Sequence, residues 1–182
     1  WDDAKTIRRE FESREIKADV TKKAEAQIGA KAVFGSNTST LPITGLSEAS
    51  VRPENFIGIH FFSPVERMML VEIIRSELTR ADVVEDTLAF TRKLDKLPLP
   101  CKSSPGFVVN RILMPYMTEA MLAADEGVPL ALIDRAALKF GMPMGPIELA
   151  DTVGLDVASH VGRILADAFG MPVPKGTVEL IA

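Results

Sequence analysis

A histidine and a glutamate in the 182-residue sequence have the spacing to meet across a β-hairpin. The β-rich segments 55–62 and 68–74 flank a short polar interruption, a pattern typical of two strands joined by a tight connection. If these strands pair antiparallel about Glu66, His60 lies directly opposite Glu72. Cβ atoms of directly opposed residues are about 4.5–5.5 Å apart, so this register predicts contact between the two side chains.

A carboxylate beside an imidazole is the orienting half of a general-base dyad. It fixes the tautomer of the imidazole and stabilises the protonated ring. The alternative hypothesis is a cross-strand pair with a structural role only, because ion-pair networks also occur away from active sites. Contact between His60 and Glu72 depends on the register of the two strands, because a slip of one residue moves a side chain to the other face of the sheet.

Three neutral hydrogen-bonding side chains are further candidates. Asn37 and Ser39 follow a short predicted strand over 32–34, where open α/β sheets place their ligands. Asn110 lies in the first turn of a predicted helix. Taken alone, each is typical of turn or cap chemistry. The other histidine, His160, lies in a predicted helix without a comparable partner, so we expect a surface or capping role.

The composition excludes several functional classes. Hydrophobic residues make up 47% and charged residues 25%, which is typical of a folded protein and not of a disordered chain. The net charge of −4 and the lack of a long basic run argue against nucleic-acid binding. No apolar run approaches the about 18 residues of a membrane span, and no Cys/His cluster has metal-ligand spacing. We therefore predict no nucleic-acid, membrane or metal partner.

The sequence also lacks two glycine motifs and a second cysteine that could form a disulfide. The 12 glycines include no pair two positions apart, which excludes the G-x-G-x-x-G dinucleotide motif, and no G-x-S-x-G nucleophile motif occurs. The single cysteine, Cys101, cannot form an internal disulfide. This suits a reducing compartment, and we expect a cytoplasmic protein.

The elements that must position these residues fall into an α/β part and a helical part. We predict a charged helix within 1–30, with a buried stripe at Val20, Ala24 and Ile28. A capping box at 79–82 opens a predicted helix over 81–96. The segment 97–102 predicts a last strand, which its two prolines place at a sheet edge.

After residue 103 the sequence contains no strand candidate. Helices are predicted over 107–125, over 130–140, and from 147 towards 169 with a weak point at Gly154. Residues 1–102 are thus predicted to be α/β and residues 103–182 all-helical.

Several segments together resemble the L-3-hydroxyacyl-CoA dehydrogenases, especially the dehydrogenase part of the bacterial fatty-acid oxidation multienzyme alpha chains. The matching segments are SNTSTL (36–41), RPENFIGIHFFSPV (52–65), LVEIIR (70–75), SPGFVVNR (104–111) and MPMGPIELADTVGLD (142–156). Their order and spacing agree with the family, and the resemblance extends over about 12–169.

The resemblance implies a fold and a set of roles. The fold is the C-terminal part of a Rossmann-type NAD domain over 1–102, followed by a helical dimerisation domain over 103–182. In the family the histidine of the HFF motif is the catalytic base, here His60, and the glutamate of LVEII, here Glu72, orients it. Ser39 and Asn110 would bind the C3 oxygen of the substrate. Asn37, Ser39, Glu12 and Lys17 would lie along the cofactor, NAD.

The implied activity is NAD-dependent oxidation of 3-hydroxyacyl-CoA to 3-ketoacyl-CoA in fatty-acid β-oxidation, by a homodimer joined through 103–182. Two alternatives remain open: a non-catalytic dimerisation module, and a short-chain 3-hydroxybutyryl-CoA dehydrogenase. Ser63 stands where the family usually has asparagine. The family's first strand, glycine-rich loop and ribose-binding acid are not found before the matched region. We therefore expect the chain to be inactive by itself and to bind NAD weakly.

Overall fold

The computed structural model describes residues 13–170. The chain divides into two compact units, with the boundary between Val108 and Val109. The first unit contains helices α1 (Arg14–Glu25), α2 (Ile43–Ser47) and α3 (Ala81–Lys93), a 3-10 turn (Pro53–Asn55), and strands β1 (Phe34–Ser36), β2 (Phe56–Phe61), β3 (Leu70–Arg75) and β4 (Leu97–Lys102).

The four strands form one sheet in the order β1-β2-β3-β4. β1 pairs parallel with β2, β2 antiparallel with β3, and β3 parallel with β4. The predicted hairpin and its register are confirmed, since His60 is the direct partner of Glu72. The last strand has the predicted bounds and lies at an edge of this sheet. β1 begins two residues later than predicted, because its parallel register with β2 starts at Phe34.

Each face of the sheet is covered by a different cluster of buried side chains. Alternate residues of a strand point to opposite faces. One face packs against α2 through the cluster Ile43, Leu46, Phe56, Ile74 and Phe107. The opposite face packs against α3 through the cluster Ile57, Val71, Ile73, Val83 and Leu88. Because Phe56 and Ile74 share their face with His60 and Glu72, the hairpin pair lies on the α2 side of the sheet.

Gly58 allows α2 to approach the sheet closely. A Cβ atom at this position would lie 2.6 Å from Cγ1 and 2.7 Å from Cδ1 of Ile43, and 3.0 Å from Cβ of Ile74. A side chain of any size here would force α2 outward. The glycine therefore helps to bring α2 down onto the face that carries His60.

The predicted apolar stripe of α1 is wrong. Val20 is 47% exposed, and the buried residues of the helix are Thr21 and Glu25. The Glu25 carboxylate accepts hydrogen bonds from Ser50 Oγ at 2.6 Å and from Val51 N at 2.9 Å. A buried carboxylate with two donors is satisfied, so this face of α1 is held by polar contacts where the spacing predicted apolar ones.

The predicted capping box before α3 is also wrong. The N-cap residue of the helix is Arg80, whose side chain makes no cap hydrogen bond. The Thr79 hydroxyl accepts a hydrogen bond from Ser76 N and donates one to the carbonyl oxygen of Phe56. Thr79 therefore ties the turn before α3 to the start of β2. The helix ends at Lys93, three residues before the predicted end.

The second unit is helical, as predicted. Its helices are α4 (Val109–Asp125), α5 (Leu130–Phe140), α6 (Pro146–Val153) and α7 (Leu155–Phe169). The single long helix predicted after residue 147 is two helices, because Gly154 has φ of 98°, a left-handed value that interrupts helical hydrogen bonding. Over residues 13–170, no helix is long and apolar enough to cross a membrane.

Candidate active site

The hairpin buries an imidazole directly against a carboxylate. His60 Nδ1 lies 2.8 Å from Oε2 of Glu72. His60 is 4% exposed and Glu72 is fully buried. Their direct opposition in the ladder of β2 and β3 produces this contact, because opposed residues point to the same face of the sheet.

The second oxygen of Glu72 has its own partner. Val108 N donates a hydrogen bond to Oε1 at 2.9 Å, across 36 positions of the sequence. A buried carboxylate without partners is strongly destabilising, so hydrogen bonds to both oxygens keep this group in place. Glu72 therefore connects β3, the imidazole on β2 and the segment that follows β4.

This arrangement can perform general-base chemistry. A carboxylate that accepts from Nδ1 holds the ring proton on that atom and leaves the Nε2 lone pair to receive another. Once the ring is protonated, the adjacent negative charge stabilises it. The geometry therefore has the features of an oriented base.

Two aromatic rings contact the imidazole. The Phe62 ring is centred 4.5 Å from that of His60, and the Phe107 ring 5.7 Å away in an edge-on arrangement. Phe107 is itself buried, and its φ of 50° is left-handed, directly after Gly106 at 70°. A bulky residue in this region costs about 1–3 kcal/mol and is often found at functional sites.

The loop after β1 presents its polar groups at the same sheet edge as His60, since β1 and β2 are parallel and both end there. Thr38 and Thr40 are buried, and Thr38 Oγ1 accepts a hydrogen bond from Leu41 N at 3.1 Å. These buried threonines anchor the loop, whereas Asn37 is exposed and Ser39 half-buried.

Lys17 joins α1 to this loop. Its Nζ donates to the carbonyl oxygen of Asn37 at 2.8 Å. Two of the residues predicted to lie along a cofactor, Lys17 and Asn37, are therefore brought together.

The remaining predicted residues belong to the second unit or lie outside the described residues. Asn110 lies in the first turn of α4, in the second unit. Glu12 lies outside the described residues, as does the side chain of His160. Within the described part of the chain, no group of three potential ligands could hold a metal ion.

Cys101 is not an activated nucleophile. Burial, and then the nearby negative charge of Glu72, raise the pKa of the Cys101 thiol to about 12. A thiol with this pKa is almost entirely protonated at neutral pH. Cys101 is the partner of Ile74 in the ladder of β3 and β4, so its side chain lies on the face of the sheet that carries Glu72.

Sequence reasoning missed the contribution of Phe107 and of the Val108 amide. Neither side chain is polar, and neither spacing nor residue type indicates a contact with the hairpin. The available signal was the pair Pro105–Gly106, which marks a turn immediately before them.

Comparison with protein families gives two adjacent matches. Residues 7–104 match the model described as 3-hydroxyacyl-CoA dehydrogenase, NAD binding domain, and residues 106–180 match the C-terminal domain of the same enzymes. The chain belongs to the 3-hydroxyacyl-CoA dehydrogenase family. The predicted fold, part of a Rossmann-type NAD domain followed by a helical domain, is thereby confirmed, and so is NAD as the cofactor of the family.

Two curated relatives are much longer than this chain. The fatty acid oxidation complex subunit alpha of Shewanella halifaxensis is 45% identical over 160 residues, which are 88% of this chain and 23% of that protein. The corresponding subunit of Psychrobacter arcticus is 42% identical over 173 residues, 93% of this chain and 24% of its own length. The chain thus spans about a quarter of these relatives.

Solved structures of the family have the same fold. The (S)-3-hydroxybutyryl-CoA dehydrogenase of Ralstonia eutropha superposes with a TM-score of 0.88 at 37% identity, over 92% of this chain and 61% of that one. The 3-hydroxybutyryl-CoA dehydrogenase of Escherichia coli gives 0.87 at 36% identity, over 93% of this chain and 37% of that one.

Proposed function

We propose that the chain carries the reacting half of a 3-hydroxyacyl-CoA dehydrogenase, which oxidises the 3-hydroxy group of 3-hydroxyacyl-CoA to a ketone with NAD in fatty-acid β-oxidation. The buried His60–Glu72 pair is the observation that supports this most directly. A pair of this kind is suited to take a proton from an alcohol.

The free cysteine suits a reducing compartment, and we propose the cytoplasm as the place of the reaction.

His60 is the general base of this proposal. Nε2 receives the proton of the C3 hydroxyl, because Nδ1 is held by Glu72. The Glu72 carboxylate then stabilises the imidazolium. General-base assistance of this kind contributes about 10²–10⁴-fold to the rate.

Ser39 and Asn110 orient the substrate. Both offer neutral hydrogen-bonding groups that suit the C3 oxygen as alcohol and as ketone. Their contribution is alignment of the reacting atoms, which lowers the entropy cost of the reaction.

The residues at the end of β1 fit the nicotinamide end of NAD. The donor set is an exposed amide at Asn37, a half-buried hydroxyl at Ser39 and the Lys17 ammonium, which already contacts the Asn37 carbonyl. We assign Glu12 to the same group from its place in the family motif. The chemistry that NAD supplies when bound is acceptance of the hydride from C3.

We propose the domain assignment of 1–102 to the NAD-binding part and 103–182 to the helical part. The unit boundary at Val108 and the family-model boundary at 104–106 support a division close to this point.

The helical part is proposed to join two copies of the chain. Several large apolar side chains on its helices are exposed, among them Ile112 at 70%, Leu132 at 49%, Leu138 at 48% and Phe140 at 87%. Exposed apolar patches of this kind mark interfaces, and two-fold symmetry is the commonest arrangement.

Light scattering tests the dimer. We expect twice the mass of the chain at high micromolar concentration, and an Ile112→Glu/Phe140→Glu variant should shift the equilibrium towards the monomer. A monomeric mass for the unmodified chain at that concentration would contradict the assignment.

A chimera tests the catalytic proposal. Residues 13–170 replace the matching segment of the Shewanella halifaxensis subunit, and NADH absorbance follows oxidation of 3-hydroxyacyl-CoA. Turnover comparable to that of the parent subunit is expected. A folded, NAD-binding chimera without turnover would favour the non-catalytic dimerisation module.

A short-chain substrate is the second candidate. It is favoured by the likeness to two solved 3-hydroxybutyryl-CoA dehydrogenases. The chimera distinguishes the candidates if kcat/KM is measured for acyl groups of four and sixteen carbons. A strong preference for four carbons, absent from the parent subunit, would select the short-chain alternative.

A further inference from the structure

We propose that the Gly106–Val108 turn is a positioning element for the candidate base, with Phe107 as its principal side chain. The inference rests on the function proposed above. It assigns to Phe107 a role that acts through His60 and not through substrate or cofactor.

Two consecutive residues of this turn contact both members of the pair. The Phe107 ring lies edge-on to the His60 ring, with the centroids 5.7 Å apart. The amide of Val108 donates to Glu72 Oε1 at 2.9 Å, and Glu72 Oε2 contacts His60 Nδ1 at 2.8 Å. Turn, carboxylate and imidazole therefore form a closed cycle of three contacts.

The backbone of the turn is held in an uncommon conformation. Gly106 and Phe107 have φ of 70° and 50°. Glycine adopts such values readily, but phenylalanine does so rarely. The ring of Phe107 is 3% exposed and belongs to the cluster with Ile43 and Ile74. Burial of the ring supports the strained backbone, and this conformation brings the ring and the next amide to the same pair.

The consequence concerns rotation of the imidazole. If the ring of His60 turned about its bond to Cβ, Nδ1 would leave Glu72 and the preference for one tautomer would be lost. Phe107 occupies the space beside the ring and opposes this rotation. Removal of the aromatic ring should therefore loosen the tautomer even where the fold survives.

Nitrogen NMR of the imidazole tests the proposal in the 182-residue chain. His160→Gln is the background, so that His60 is the only histidine observed. We expect one protonated and one unprotonated ring nitrogen in this parent, assigned to Nδ1 and Nε2. Phe107→Leu should move both signals towards the average of the two tautomers.

Phe34→Leu is the matched control. Phe34 packs against the same cluster and stacks on Phe56 at 5.4 Å, whereas the ring partners of His60 within residues 13–170 are Phe62 and Phe107. The Phe34→Leu variant should be less stable than the parent, but the two nitrogen signals of His60 should not change. Two results would overturn the proposal: nitrogen signals in Phe107→Leu equal to those of the parent, or signals shifted as far by Phe34→Leu as by Phe107→Leu.

Two further measurements keep the test decisive. Should Phe107→Leu fail to fold, Phe107→Met fills a similar volume without a ring, and the same loss of tautomer preference is expected. In the chimera, Phe107→Leu should lower kcat by about tenfold to a hundredfold with little change in KM. An inactive parent chimera would refute the proposed function while the NMR result still decides the role of Phe107.

Discussion

The two faces of the sheet are built from the same strands but bury different kinds of side chain. On the α3 side, β2 and β3 contribute Ile57, Val71 and Ile73, all apolar and buried. On the α2 side, the alternate positions contribute apolar residues and also His60 and Glu72, which are equally buried. One period-two alternation therefore separates a face on which the buried residues of β2 and β3 are all apolar from one that holds an ionisable pair.

The difference shows how directional contacts restrict a core. The α3 side needs only volume and apolar surface, so similar residues can replace one another at modest cost. On the α2 side, removal of the imidazole takes away a hydrogen-bond partner of the buried Glu72 carboxylate, at a cost of about 1–3 kcal/mol. Stability is thus tolerant of change on one face and sensitive to single atoms on the other.

The largest expected effect is on the chemistry of the α2 side. In the chimera, His60→Gln should lower kcat by about 10²–10⁴-fold, because the amide cannot accept the proton. KM should change little, since the proposed substrate contacts remain. Steady-state kinetics by NADH absorbance measures both constants, and a kcat within threefold of the parent would remove His60 from the mechanism.

Ile73→Ala tests the α3 side. Ile73 is 1% exposed, so the substitution leaves a cavity beneath α3 and should reduce the free energy of unfolding by about 2–5 kcal/mol. Urea denaturation followed by circular dichroism measures this. The imidazole nitrogen signals of His60 should stay unchanged. A shift in them would show that the two faces are coupled and would break the comparison.

Gly58→Ala and Gly35→Ala form a smaller, paired test. At Gly58 the new Cβ meets Ile43 and the backbone-attached Cβ of Ile74, so overpacking should cost about 1–3 kcal/mol. At Gly35 it meets only the end of the Ile59 side chain, which can move. The unfolding free energy should therefore fall more for Gly58→Ala, and the reverse order would show that α2 yields more easily than its contacts imply.

The smallest effect concerns Cys101. A thiol whose pKa is raised to about 12 stays protonated below that pH, so its alkylation rate should still be rising with pH between about 8 and 10. Glu72→Gln removes the second cause of the shift. The pKa of Cys101 should then fall and iodoacetamide should react several-fold faster at pH 8, as mass spectrometry can measure. Free glutathione is the reference for reagent reactivity, and equal rates in the two proteins would contradict a contribution from Glu72.

The part of the site that sequence could predict is local. Period-two alternation and a short connection predict the hairpin, and symmetry about Glu66 gives the observed partner of His60. The edge strand and α5 follow from prolines and glycines that punctuate the chain. The functional roles of these residues stay predictions.

The rest depends on contacts between distant segments. The polar face of α1 is set by a carboxylate whose partners lie 25 and 26 residues away. The Val108 amide reaches Glu72 across 36 residues. The strained turn at Phe107 contradicts the preference of its own residue type. No periodicity carries such information, because each contact is specified by tertiary packing.

The prolines of β4 determine how this edge of the sheet behaves towards strands of other molecules. Leu97 N donates to Met69 O, so by alternation the odd-numbered amides of β4 face β3, and positions 98 and 100 face outward. Lys102 alone among the outward-facing positions of β4 has an N–H, because positions 98 and 100 are prolines. An approaching strand finds acceptors there without donors and cannot continue the ladder. At high concentration this edge therefore resists edge-to-edge pairing with a strand of another molecule.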